Sequence, residues 1–296
     1  TFGEGLAKHF MIPYNRKQWA IDPRNMTDAW IRDRVMTPSL NEVIDGALRR
    51  QEKRFGPNSV FWYPEIGGIE ALPNGFLARL DADKIHLDTE VKKILWREKR
   101  AVCVDGSEWE YGRLISSVPL PHLAECMVPP LRQDLREAVG RLEYNTVYTI
   151  NLGIGREELS PYHWVYFPEE DYLLHRVSFP KNFAKSMVPD GWSSVMVEVS
   201  SSKYRTAPSG ENLIKRVMAD LKRAKLVVDG DAVRVKSVVR LQPAYVIYTH
   251  THRSDVDSLH QFLKENAIVP CGRFGEWEYL NMDHSIMSGK AAAETA

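Results

Sequence analysis

Near the end of the chain the run CGRFGEWEYLNMDHSIMSGK, residues 271–290, sets Gly272, Arg273 and Gly275 ahead of Trp277 and Tyr279, then Asn281, Met282 and Asp283 before a segment of small residues. Glycine lets backbone approach a ligand closely, and a helix opening at 281–283 presents N–H groups and the positive end of a dipole. That is the chemistry of a cradle for a flavin, whose ring oxygens and nitrogens gain negative charge on reduction. The same residues also suit an ordinary strand-turn-helix ending. The dinucleotide turn Gly-x-Gly-x-x-Gly is absent: Gly3-Glu4-Gly5 has no strand before it, and Gly153-Ile154-Gly155 has no third glycine. The chain is therefore expected to be the back portion of a longer protein. His250, His252, Asp255 and His260 form another group of chemical interest, because His-x-His can ligate a metal from a strand. Without a second compact ligand set they read as an exposed polar turn, and no metal is expected.

Lys plus Arg and Asp plus Glu balance at 39 each, which gives neither nucleic acid nor an anionic membrane surface a field to follow. The hydrophobic fraction of 44% is enough to build a core in one large domain or two smaller ones. No apolar run reaches the roughly 20 residues of a membrane span. Cys103, Cys126 and Cys271 are widely spaced and odd in number, which argues against a disulfide framework and for a reducing, cytoplasmic compartment.

Helices are expected first. Thr27 can cap a turn bearing Trp30, Ile31, Arg34 and Val35, Ser39 and Glu42 make a capping-box pair, and Gly56-Pro57-Asn58 stops the run. VFWYP at 60–64 reads as a strand, and a helix follows Gly67-Gly68 through Leu72, Phe76, Leu77 and Leu80. Short strands at Ile85–Leu87, 94–96, 101–104 and 109–111 suggest a meander turning at Asp105-Gly106, and RLISSVP at 113–119 reads as a buried strand. From Tyr144 onward, β-branched and aromatic segments with partial alternation predict an antiparallel sheet. One helix interrupts it after Pro208, with Leu213, Val217 and Leu221 at helical spacing. The fold class is α+β, divided as a helical domain over 1–56, a returning segment of a cofactor domain over 57–120, a sheet domain over 121–250 and a C-terminal cofactor segment over 251–296.

Several of these segments, in this order, resemble one family. PYNRKQWAI at 13–21, RFGPNSVFWYPEIGGIEAL at 54–72, WVYFPEED at 164–171, HRVSF at 175–179 and the terminal GRFGEWEYLNMDHS resemble UDP-galactopyranose mutases of the eukaryotic type. The YP..GG and terminal segments are shared with protoporphyrinogen oxidases and amine oxidases. The resemblance implies an FAD-binding α/β domain in the intact family with a helical insertion, and an antiparallel substrate domain. It also implies that the dinucleotide fingerprint and a histidine-bearing loop precede Thr1. The implied reaction isomerises a UDP-hexopyranose to the furanose, with N5 of reduced FAD attacking the anomeric carbon.

Carried over residue by residue, the resemblance makes Arg176 and Arg273 the diphosphate arginines, a role that suits the planar, permanently charged guanidinium. Tyr166, Tyr245 and Tyr279 match tyrosines that give hydroxyls to the same group, although VIYT replaces the family's proline-containing continuation after Tyr245. Arg176, Arg273 and Tyr279 are the catalytic candidates. Asn15 and Trp19 match positions near uridine and sugar. Gly67, Gly68, Val91, Gly272, Arg273, Asn281, Met282 and Asp283 match positions that hold FAD. Where further glycine often follows, this chain has Ile69-Glu70, which puts a carboxylate near the cofactor or turns it outward. The expected partner is a UDP-sugar or another small molecule, with self-association left open. Two other readings stand beside the mutase: an FAD-dependent amine or porphyrinogen oxidoreductase, and a flavin-free nucleotide-sugar or partner-binding domain.

Overall fold

The computed structural model describes residues 3–31, 39–49 and 60–295. Arg34, Val35, Gly56-Pro57-Asn58 and the start of the motif at 54–72 lie outside the described residues. The chain forms two compact units, Thr1–Arg79 with Thr146–Leu241, and Leu80–Asn145 with Gln242–Ala296. The class is α+β.

The first unit is built on a five-stranded antiparallel sheet. Its strands are β1 (Thr146–Ile154), β2 (Trp164–Tyr166), β3 (Arg176–Ser178), β4 (Ser193–Ser201) and β5 (Val233–Leu241), in the order β5-β1-β4-β3-β2. Side chains alternate across a pleated sheet, so register decides which residues share a face. One row across it reads Val165, Val177, Val197, Ile150 and Val238. Val177, Val197 and Ile150 are fully buried in one cluster with Leu213, Val217 and Leu221 of the helix Gly210–Arg223. Burying each such side chain contributes about 1.5–3 kcal/mol before chain entropy is set against it. The neighbouring row, one residue along each strand, reads Tyr166, Arg176, Glu198, Thr149 and Val239. It therefore lies on the opposite face, and the apolar row fixes where its polar groups stand.

The helix α1 (Ile12–Trp19) ends at Ala20, which takes a left-handed conformation with φ 55°. The Ala20 carbonyl accepts the Ser202 hydroxyl at 2.5 Å, which helps to hold that turn. Ser39 and Glu42 form the expected capping box on the helix Leu40–Leu48. VFWYP is not a strand. Phe61 is held by ring contacts with His163, Trp164 and Phe183 at 5.2–5.6 Å instead of ladder hydrogen bonds. The helix after Gly68 runs Ala71–Leu77, and Glu70 is exposed.

In the second unit Val91–Leu95, Arg100–Cys103 and Glu108–Glu110 form the expected antiparallel meander. Ile85–Leu87 is not a strand. Asp81 caps a single turn at Ala82–Lys84, and Asp88 is left-handed, so the segment has no run of extended backbone. Leu114–Ser116 pairs in parallel with Ile268–Pro270, but Ile115 is 41% exposed, so this strand is not buried throughout. His252, Asp255 and His260 lie on the helix α2 (His252–Glu265) and not in a polar turn. Val256, Leu259 and Leu263 turn its other positions into the core, and Asp255 pairs with Arg141 at 2.6 Å. No group of His, Cys, Asp and Glu among the described residues could hold a metal. Their three cysteines are free, and none of their helices is long and apolar enough to cross a membrane.

Candidate functional site

In the first unit Arg176 and Tyr166 stand opposite each other on β3 and β2. Arg176 donates from Nε and Nη2 to the same oxygen of Glu198, at 3.1 and 2.5 Å. The other Glu198 oxygen faces His175 Nε2 at 3.4 Å. Burial works against the charged Glu198 carboxylate, but His175 and Arg176 outweigh it and hold the group down to about 2. His175, 1% exposed, is pushed below the usual histidine range by burial, and its Nδ1 has no hydrogen-bond partner among the described residues.

Tyr14 on α1 packs edge-on to Tyr166 at 5.0 Å and lies 6.2 Å from the His175 ring. Lys17 is buried, with Nζ donating to the Phe167 and Glu169 carbonyls at 2.7 and 2.8 Å. Its burial, with Arg205 nearby, lowers the amine to about 8. Asn15 and Trp19 are also buried. The Trp19 indole donates to Asn15 Oδ1, and the Asn15 amide donates to the Met11 carbonyl, so in this structure they serve the helix and its core. Glu198, His175, Tyr14 and Lys17 were not among the sequence candidates. The legible signal for Glu198 was a lone carboxylate in the apolar run SSVMVEVS.

Arg273, Tyr245 and Tyr279 come together in the second unit. The Arg273 guanidinium lies 4.8 Å from each of the two tyrosine rings, and these rings meet edge-on at 5.3 Å. Tyr248 accepts the Tyr279 N–H at 2.7 Å and donates its own hydroxyl to Glu278 at 2.5 Å. Gly275 has a packing role, because a Cβ there would stand 2.5 Å from the Ser116 carbonyl oxygen. Val91 begins the first meander strand and is 36% exposed.

The residues expected to hold a flavin divide between the units. In the second, Asn281 accepts the Ser285 N–H and thereby opens the helix α3 (Met282–Thr295), with Asn281, Met282 and Asp283 all exposed. Gly272 has φ 69° with open space around the position a side chain would take, and Ser288 of α3 accepts its N–H at 2.7 Å. An exposed helix start offers N–H donors of the kind that suit the polar edge of a flavin. In the first unit Gly67 and Gly68 have φ 83° and 63°, and a Cβ on Gly68 would stand 3.3 Å from Met187 Sδ.

The sequence profile of flavin containing amine oxidoreductases matches residues 21–296. The chain belongs to this family. A reduced UDP-galactopyranose mutase has a similar structure, with a TM-score of 0.91 and 28% identity, over 99% of this chain and 64% of that one. This family member therefore spans less than two thirds of the mutase's length. Two more distant structures share the fold. A putative protoporphyrinogen oxidase from Exiguobacterium sp. 255-15 has a TM-score of 0.63 and 16% identity over 77% of this chain and 50% of that one. Putrescine oxidase bound to putrescine has a TM-score of 0.56 and 17% identity over 78% and 53%.

Acid is expected to destabilise this family member well before its carboxylates titrate. Burial depresses the protonation of His175, His252 and His260. An unfolded histidine takes a proton near pH ~6.5, so below that the unfolded state binds more protons than the fold. The stabilising contribution is present above about 6.5 and is lost as pH falls through the lowered folded values. Urea midpoints measured at pH 7.5 and 5.5 should fall with acid, and equal midpoints would contradict the neutral burial of these rings.

Proposed function

We propose that this chain carries the nucleotide-sugar-binding portion of a flavin-dependent mutase acting on a UDP-hexose, interconverting its pyranose and furanose forms. The observation that carries this reading is Arg176 on a sheet face beside Tyr166, held by a buried carboxylate and 31% exposed. A guanidinium and a phenol hydroxyl are donors for the oxygens of a diphosphate. Tyr245 and Tyr279, whose rings meet edge-on in the other unit, bring two more phenol hydroxyls together. The similarity to the mutase, in both identity and extent, supports the same reading. When bound, reduced flavin would supply the nucleophile for the anomeric carbon. The chain's own residues would bind and orient the nucleotide, and the start of α3 would donate N–H groups to the flavin's polar edge.

The family's name favours a second reading, oxidation of an amine. This reading expects oxygen uptake with turnover and no affinity for UDP.

Calorimetric titration of UDP into the chain separates the two. Arg176→Ala is expected to weaken UDP binding by about 1.5–3 kcal/mol, the scale of a hydrogen bond to a charged group. Wild-type protein that ignores UDP, or a variant that binds it equally well, would end the proposal.

A further inference from the structure

The two arginines are held in different ways. Arg273 donates from Nη2 to the Ala244 carbonyl at 2.7 Å and from Nη1 to the Leu280 carbonyl at 3.2 Å. Ala244 immediately precedes Tyr245, and Leu280 immediately follows Tyr279. The guanidinium carbon also lies 4.8 Å from the centre of each tyrosine ring. One planar cation therefore ties together two segments far apart in sequence, gripping the backbone beside each tyrosine and lying within cation–π range of both rings. Such a group is committed to carbonyls and π faces, which is the work of a staple. Arg176, by contrast, grips a side chain, with two of its nitrogens on a single carboxylate oxygen at the sheet face.

We propose that Arg273 is a positioning residue, which sets Tyr245 and Tyr279 for an anionic ligand instead of binding the anion itself. The anion class, a nucleoside diphosphate, rests on the function proposed above. The staple itself does not.

Lysine separates the alternatives, because it keeps the charge but has neither a planar face nor a fork that can reach both carbonyls. Arg273→Lys and Arg273→Met are expected to lower the melting temperature of the ligand-free chain by a similar amount, roughly 4–8 °C. Both should raise the UDP dissociation constant about tenfold or more, while the slope of affinity against salt stays at the wild-type value. Tyr279→Phe should weaken UDP binding in the wild-type background and add little in Arg273→Met, because one variant has already released what the other modifies.

The proposal is overturned if Arg273→Lys keeps wild-type melting and UDP affinity while Arg273→Met loses affinity with a shallower salt slope. Strictly additive effects of Arg273→Met and Tyr279→Phe would overturn it as well. If wild-type chain binds no UDP, the functional reading fails by itself, and melting decides the staple: equal losses in both variants uphold it, and unchanged melting in both refutes it. Arg273→Lys also serves as the interpretable variant should Arg273→Met not fold.

Discussion

Replacing Glu198 with alanine is expected to cost about 3–5 kcal/mol of unfolding free energy, the scale for breaking a buried ion pair from one side. The carboxylate is 6% exposed and ionised, shared between Arg176 and His175. Removing it leaves a partly buried guanidinium without that counter-charge and a fully buried imidazole whose Nε2 has lost its neighbour. A cavity remains in a strand whose Val197 and Val199 are packed with no exposure. Glu198→Gln keeps the volume and an acceptor oxygen, so it should lose less, about 1–3 kcal/mol. The two variants should also differ from wild type in acid. Glu198 is held down to about 2 in the fold, whereas a free glutamate titrates near ~4.3. Its stabilisation is present above the unfolded value and disappears as pH falls toward the folded one, so the glutamine variant should lack that portion of the acid slope. Urea unfolding at pH 7 and pH 3.5 measures both effects. An alanine variant within about 1 kcal/mol of wild type would mean that the carboxylate does not hold the arginine.

Much of this arrangement was legible in sequence, though not its pairing. The strands between residues 146 and 241 announced themselves through β-branched alternation, because β1, β3 and β4 bury residues in one cluster with the helix Gly210–Arg223, while β5 keeps the same composition on an exposed edge. What alternation cannot supply is register. Tyr166, Arg176 and Glu198 form one row only because of hydrogen bonds between segments far apart in sequence, so Glu198 remained a lone acid among valines. His252 and Asp255 were misread for a related reason. Their polar types suggested a turn, while Val256, Leu259 and Leu263 on the following residues carried the helical spacing that buries them. The glycines near the terminus divide in a way their residue type does not reveal. Gly275 is explained by the Ser116 carbonyl against it, and only Gly272 keeps open space beside a left-handed turn. VFWYP had strand composition, but its rings find partners in His163, Trp164 and Phe183, and composition cannot distinguish ring packing from a ladder.

Trp277 links that terminal motif to the core, and Trp277→Ala is expected to cost about 3–5 kcal/mol. The residue has φ 57°, a conformation that L side chains adopt at a cost of about 1 kcal/mol or more. The ring is nevertheless fully buried among Leu135, Val256, Leu259 and Ile268. His252 fixes the backbone by a hydrogen bond between its ring and the Trp277 carbonyl at 3.0 Å. Burial of the largest side chain thus outweighs the strain of an unfavourable turn, and that turn delivers Tyr279 two residues later to Tyr248 and Arg273. One group of the ring works against it: the indole N–H is buried without a hydrogen-bond partner among the described residues. Phenylalanine removes that unsatisfied donor while giving up some of the ring, so Trp277→Phe should lose about 2 kcal/mol or less, since two opposed effects partly cancel. Trp277→Gly relieves the turn but empties the core, and should resemble alanine. Chemical denaturation of the three variants decides the matter. Alanine and phenylalanine of equal stability would show that burial of a ring at this position does not offset the strain of the turn.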